Sequence, residues 1–106
     1  MSDMGAPAPL LRATGTPAPD STEAEIERAL QRCAAGERAA LEKLYRLTSA
    51  RLLGVLLRIL KRREPAEDAL QDVFVRVWQR AGQFDGYRGR PMAWLVSIAR
   101  YRAIDL

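Results

Sequence analysis

Residues 65–106 read PAEDALQDVFVRVWQRAGQFDGYRGRPMAWLVSIARYRAIDL, and this stretch decides the fold. It divides into a helix with an acidic face, a glycine-punctuated loop, and a second helix that is basic and aromatic. Pro65 suits a first helical turn, where the amide it lacks would have no partner in any case. Glu64, Glu67 and Asp68 complement the positive end of the helix dipole. Ala66, Leu70, Val73, Phe74, Val77 and Ala81 recur at three- and four-residue intervals and so share one side of a helix. Gln71, Asp72, Val75 and Gln79 share another, with Asp68 one turn before them and Trp78 near the boundary. Gly82 is the expected C-cap. Gly86 and Gly89 then mark a turn, and Pro91 opens the next helix. In that helix Leu95, Ile98, Ala99 and Arg102 mark one side, and Trp94, Ser97, Tyr101 and Ile104 another.

Upstream, the pattern is one of supporting helices. Ser21 or Thr22 is placed to cap a helix, with Glu25 completing a capping box. Ile26, Ala29, Leu30 and Cys33 form its apolar side, and Gly36 stops it. From Glu37 to Arg62 the spacing of Leu41, Leu44, Tyr45, Thr48, Leu52, Val55, Leu56, Ile59 and Leu60 stays helical. Leu53 and Leu57 widen the stripe beyond what one neighbour covers, which makes this the central helix. Helices are thus expected at 22–35, 37–62, 65–81 and 91–105, in an all-α compact bundle of about four helices spanning 21–106. Residues 1–20 hold four prolines and two glycines and read as a disordered tail. A short partner-binding segment at Leu10 and Leu11 is the alternative. The tail lacks the apolar run of a signal peptide, so neither secretion nor stable membrane insertion is expected, and the chain is expected to be cytoplasmic.

The net charge of +4 is unevenly placed: +4 over residues 21–62, −2 over 63–85 and +3 over 86–106. An acidic patch between two basic ones favours two binding surfaces over one uniform nucleic-acid coat. With one cysteine and no histidine, an internal disulfide, a Cys/His metal site and Cys–His catalysis are all excluded. Glu67, Asp68 and Asp72 are spaced for an exposed face, not for general acid–base work. No enzyme and no cofactor is expected. Lys61, Arg62 and Arg63 suit a solvated helix end or a nucleic-acid contact.

Three blocks in order carry a family resemblance. They are Asp68, Gln71, Asp72, Phe74 and Trp78; then Phe84, Asp85, Arg88, Gly89, Ala93, Trp94 and Leu95; then Ile98, Ala99, Arg100, Ala103, Ile104 and Asp105. Together they resemble the region-two domain of bacterial sigma factors of the extracytoplasmic-function (ECF) group, and the likeness covers about residues 25–106. It implies a transcription initiation specificity factor that docks on core RNA polymerase and recognises and melts the promoter minus-ten element. Asp68, Gln71 and Asp72 would pair with groups on the clamp helices of the largest subunit, with Phe74, Val75 and Trp78 adding apolar contact. Tyr87, Arg88, Arg90, Trp94, Ser97, Arg100 and Tyr101 would hold the melted non-template strand of promoter DNA. A flipped base would enter the loop 85–91. An anti-sigma factor that covers the same surfaces is the further partner implied.

The physics of a melted strand fits these residues, since unstacked bases stack on aromatic faces beside cations. Trp94 is open to a second reading as core. Tyr101 stands where the family often has Asn, and Pro91 and Met92 where it is often more polar, so base preference does not carry over. The chain also stops at Leu106, ahead of the helix-turn-helix domain the family uses at the minus-thirty-five element. The resemblance therefore implies a piece of a longer protein that alone binds promoters weakly. The alternatives are a helical duplex-DNA-binding repressor, which leaves the acidic helix unexplained, and an interaction or membrane-surface module.

Overall fold

A glycine stops the first helix as the pattern requires. Gly36 takes φ +88°, its N–H donates to the Cys33 carbonyl at 2.9 Å, and the Glu37 N–H donates to the Arg32 carbonyl at 3.0 Å. These two bonds make a Schellman cap, which needs a residue tolerant of the left-handed region. The Arg32 guanidinium closes over it on to the Glu37 carboxylate at 2.9 Å.

The structure is a computed structural model that describes residues 19–86 and 89–105. It contains α1 (Pro19–Ala34), α2 (Arg38–Leu60), α3 (Arg63–Arg80) with a 3-10 turn at Ala81–Gln83, and α4 (Pro91–Asp105), with no strand among the described residues. The expected all-α bundle of four helices is therefore the fold. Of the expected tail, residues 1–18 lie outside the described residues, while Pro19 and Asp20 open α1. Ser21 and Thr22 consequently sit inside the first turn, not ahead of it. A proline at the first helical position starts the helix there without losing a bond.

The central helix is α2, which packs against α1, α3 and α4. Its buried residues Ala40, Leu44, Thr48, Leu52 and Leu56 are each four apart. Such a line drifts by about 40° per step around a 3.6-residue helix, so it winds from one neighbour to the next. That winding is why Leu41, Leu47, Leu53, Val55, Leu57 and Leu60 are partly buried as well. Thr48 is the buried polar side chain on this line, and its hydroxyl is satisfied by donating to the Leu44 carbonyl at 2.8 Å. Ile26, Ala29, Leu30 and Cys33 from α1, Ala66, Leu70, Val73, Phe74 and Val77 from α3, and Met92, Leu95, Ile98 and Ala99 from α4 complete the core. Burial pushes the Cys33 thiol up from its ordinary value, and the Glu37 carboxylate adds to the shift. Since the thiolate is the reactive form and Cys33 is shut inside the core, alkylation at pH 8 is expected to run slower in the folded chain than in urea. Mass spectrometry of the labelled chain reads this directly.

Two helix ends differ from the sequence expectation. Gly82 does not cap α3 in the left-handed region; it lies in the 3-10 turn that carries the chain away. At the end of α2 a non-glycine residue takes the left-handed cap: Lys61, at φ 68°, whose N–H donates to the Leu57 carbonyl at 2.9 Å. Lys61 and Arg62 are the whole link between α2 and α3, so the tight reversal overrides the local cost of that conformation for a residue with a Cβ. Lys61→Gly is therefore expected to stabilise the fold by about 0.5–1 kcal/mol, read as a raised urea midpoint at unchanged slope. Arg63 belongs to α3, where it pairs with Glu67 at 2.9 Å, an exposed contact of small energetic weight. Among the described residues, no helix is long and apolar enough to cross a membrane.

Two long-range contacts fix α4 relative to the bundle. The Met92 N–H, in the first turn of α4, donates to Glu23 Oε1 on α1 at 3.0 Å. A side chain 69 residues away thus does the work of an N-cap. At the other end, Arg102 donates to Asp72 Oδ2 on α3 from Nη2 at 2.8 Å and from Nε at 3.2 Å.

Candidate functional site

Residues on α3 advance by about 100° each, so its outward arc has two edges. Gln71, Phe74, Val75 and Trp78 turn towards the first half of α2. Asp72 turns towards α4. On the first edge a groove of about 440 Å³ opens between α2 and α3, with Leu41, Tyr45, Phe74, Val75 and Trp78 as its apolar lining and Arg38, Glu42 and Gln71 as its polar groups. Phe74 is buried and forms the floor, its ring 4.9 Å from that of Tyr45 at 52°. What the groove presents outward is Tyr45, 42% exposed, and Val75, 55% exposed. Of the residues expected to meet a protein partner, Gln71, Phe74, Val75 and Trp78 come together here. Asp68 is exposed on α3 outside the groove lining. Asp72 was expected on an open acidic face, but one of its oxygens is engaged by Arg102.

The residues expected to meet nucleic acid gather around Trp94. This side chain is half-buried, its ring edge-on to Phe84 at 5.5 Å and 61°, so it is both packed and presented. Two recesses flank it. One, of about 330 Å³, lies against the loop and is lined by Gln83, Phe84, Asp85, Gly89, Arg90 and Ala93. The other, of about 150 Å³, lies between α3 and α4 and brings Trp94, Ser97 and Tyr101 beside Arg76, Arg80 and Arg102. Tyr101 is 75% exposed. The Ser97 hydroxyl donates to the Trp94 carbonyl at 2.6 Å, which holds it within the helix. Arg90 and Arg100 are exposed, and Arg100 lines neither recess. Tyr87 and Arg88 lie outside the described residues. Gly86 is not left-handed, but a Cβ there would come within 2.7 Å of Glu27 Oε2 on α1, so a bare backbone lets the loop lie close to α1.

The groove and the two recesses occupy separate parts of the bundle, and comparison with known proteins gives them a context. A family model described as Sigma-70 region 2 matches residues 44–106. The chain belongs to that family. Among its relatives are the ECF RNA polymerase sigma factors SigK of Mycobacterium bovis (strain BCG), 31% identical over 87 residues, and of Mycobacterium ulcerans, 32% identical over 87 residues. Each alignment covers 82% of this chain and 46% of the relative. The SigK of Mycobacterium sp. (strain KMS) is 35% identical over 81 residues, or 76% of this chain and 42% of the relative. The chain spans about half the length of the curated relatives it matches, and its likeness is to the region-two part of an ECF sigma factor.

Seen as a sigma-70 region 2 domain, the match begins at residue 44, inside α2, and takes in α3, the loop and α4. Arg38, Leu41, Glu42 and Tyr45 on the groove wall were not singled out for function from sequence. Leu41 and Tyr45 are spaced as core, and only the arrival of Phe74 beneath Tyr45 shows that this pair forms the rim of the stripe. Arg76 and Arg80, which line the smaller recess, do not stand out in the sequence for a different reason. They belong to a segment whose net charge is −2, and the average conceals a basic pair one turn apart at its end.

Proposed function

We propose that this region-two domain docks on core RNA polymerase through the groove between α2 and α3, and that it holds the melted non-template strand of the minus-ten element on α4 and the loop before it. The observation that carries the reading is the separation of the two residue sets: an exposed apolar rim at Tyr45 and Val75 on one side, and the half-presented Trp94 with Tyr101 on the other. An apolar groove edged by Arg38, Glu42 and Gln71 suits a helical protein surface, where apolar anchors supply affinity and polar edges fix register. Trp94 and Tyr101 offer ring faces to unstacked bases, each stacked base contributing about 1–3 kcal/mol. The recess of Gln83, Phe84, Asp85 and Arg90 beside Trp94 is where a base turned out of the stack would be received. The domain works by recognition and catalyses no step itself. Its site of action is with polymerase in the cytoplasm, and an anti-sigma factor would act by covering these same faces.

Fluorescence anisotropy on labelled non-template oligonucleotides, with and without core RNA polymerase, tests the reading. Sequence-dependent binding that strengthens with polymerase is expected. Tight binding to duplex DNA that ignores polymerase would replace it with that of a helical repressor.

A further inference from the structure

The edge of α3 that faces α4 carries two arginines to which the proposed function gives no task. Arg76 and Arg80 are one helical turn apart, so their stems rise side by side at about 6 Å. Both line the recess that holds Trp94, Ser97 and Tyr101. Arg76 is half-buried and Arg80 exposed, and neither is ion-paired among the described residues. The third arginine of the recess, Arg102, is already neutralised by Asp72. Asp105 is the recess's own carboxylate, so Arg76 and Arg80 leave a positive excess there. Ser97 spends its hydroxyl proton on the Trp94 carbonyl and has none left to donate to a ligand.

Free guanidinium groups beside exposed ring faces suit single-stranded nucleic acid, the rings taking bases and the cations taking phosphates. Resting on the reading that α4 receives a melted strand, we infer that Arg76 and Arg80 form a phosphate-binding edge that carries the nucleic-acid face from α4 on to α3. It holds the backbone of the strand whose bases meet Trp94 and Tyr101, and it does so without regard to sequence. The same helix then serves two ligands, protein along the edge of Gln71 and Val75 and nucleic acid along the edge of Arg76 and Arg80.

The test is the double variant Arg76→Gln, Arg80→Gln. Glutamine is a good helix former, so α3 is retained, and circular dichroism checks this. Anisotropy of labelled non-template oligonucleotides of several sequences is followed from about 50 to about 200 mM salt. Expected are a loss of about tenfold for every sequence alike and a log affinity against log salt slope shallower by about 1.4, at about 0.7 per phosphate on a single strand. Tyr101→Ala, run beside it, should lower affinity without changing the slope. Unchanged affinity and slope in the double variant, with Tyr101→Ala still weakened, overturns the phosphate edge and leaves the proposed function standing. Unchanged binding in both variants overturns the edge together with the reading of α4.

Discussion

Val75→Arg is expected to lower the affinity for core RNA polymerase at least tenfold while leaving the helical content and melting temperature nearly unchanged. Val75 is 55% exposed, so the fold has room for a long charged side chain there. Docking removes that room. A guanidinium placed across the mouth of an apolar groove must lose its water when the partner closes over it, and an unpaired buried charge costs several kcal/mol. A tenfold loss corresponds to only about 1.4 kcal/mol, so the expectation is a conservative one. Asp72→Arg would be a poorer probe, since it would also break the pair with Arg102 and set two like charges between α3 and α4. Unchanged capture of core polymerase by the Val75 variant in a quantitative pull-down would remove the groove as the docking surface.

Leu44→Ala has the largest expected effect on the fold itself. Leu44 has no exposed surface, lies on the winding buried line of the central helix, and is the residue whose carbonyl receives the Thr48 hydroxyl. Truncating such a side chain costs about 2–5 kcal/mol, through lost burial and the cavity left behind. For a domain of this size each kcal/mol moves the melting temperature by about 4–8 °C, so a drop of more than about 10 °C is expected. Urea denaturation followed by circular dichroism should show a lower midpoint with the slope kept. A loss below about 1 kcal/mol would mean that α2 is not the element on which the bundle rests.

The fold was legible because each helix carries its own punctuation. Pro65 and Pro91 lie in first turns as read, Gly36 caps α1, and Ala66, Leu70, Val73, Phe74, Val77 and Ala81 are all buried. What could not be read depends on contacts between distant residues. No local pattern links Glu23 to the Met92 amide, and periodicity assigns Asp72 to an open face and Arg102 to an apolar side until α3 and α4 come together. Residue propensity marks Gly82 as a cap, but the chain leaves α3 through a 3-10 turn, and at the other end of α3 the two-residue link after α2 holds Lys61 in the left-handed region against its propensity. Of the candidate site, the sequence singles out Gln71, Phe74, Val75 and Trp78 on α3 and Trp94, Ser97 and Tyr101 on α4, which line the groove and the recess, but neither the α2 wall at Tyr45 nor Arg76 and Arg80. A residue on the border of a wide apolar stripe is assigned to core or to surface only once its neighbour is known.

Whether protein and nucleic acid meet different faces of the domain is decided by two variants measured against two ligands. Val75→Arg and Tyr101→Ala would each be titrated with core RNA polymerase and with a labelled non-template oligonucleotide, as the 106-residue chain. Expected is a crossed result, with Val75→Arg losing polymerase and keeping the oligonucleotide, and Tyr101→Ala losing about 5- to 150-fold on the oligonucleotide and keeping polymerase. Equal weakening of both ligands by either variant would contradict separate faces, because it would place them on one shared surface.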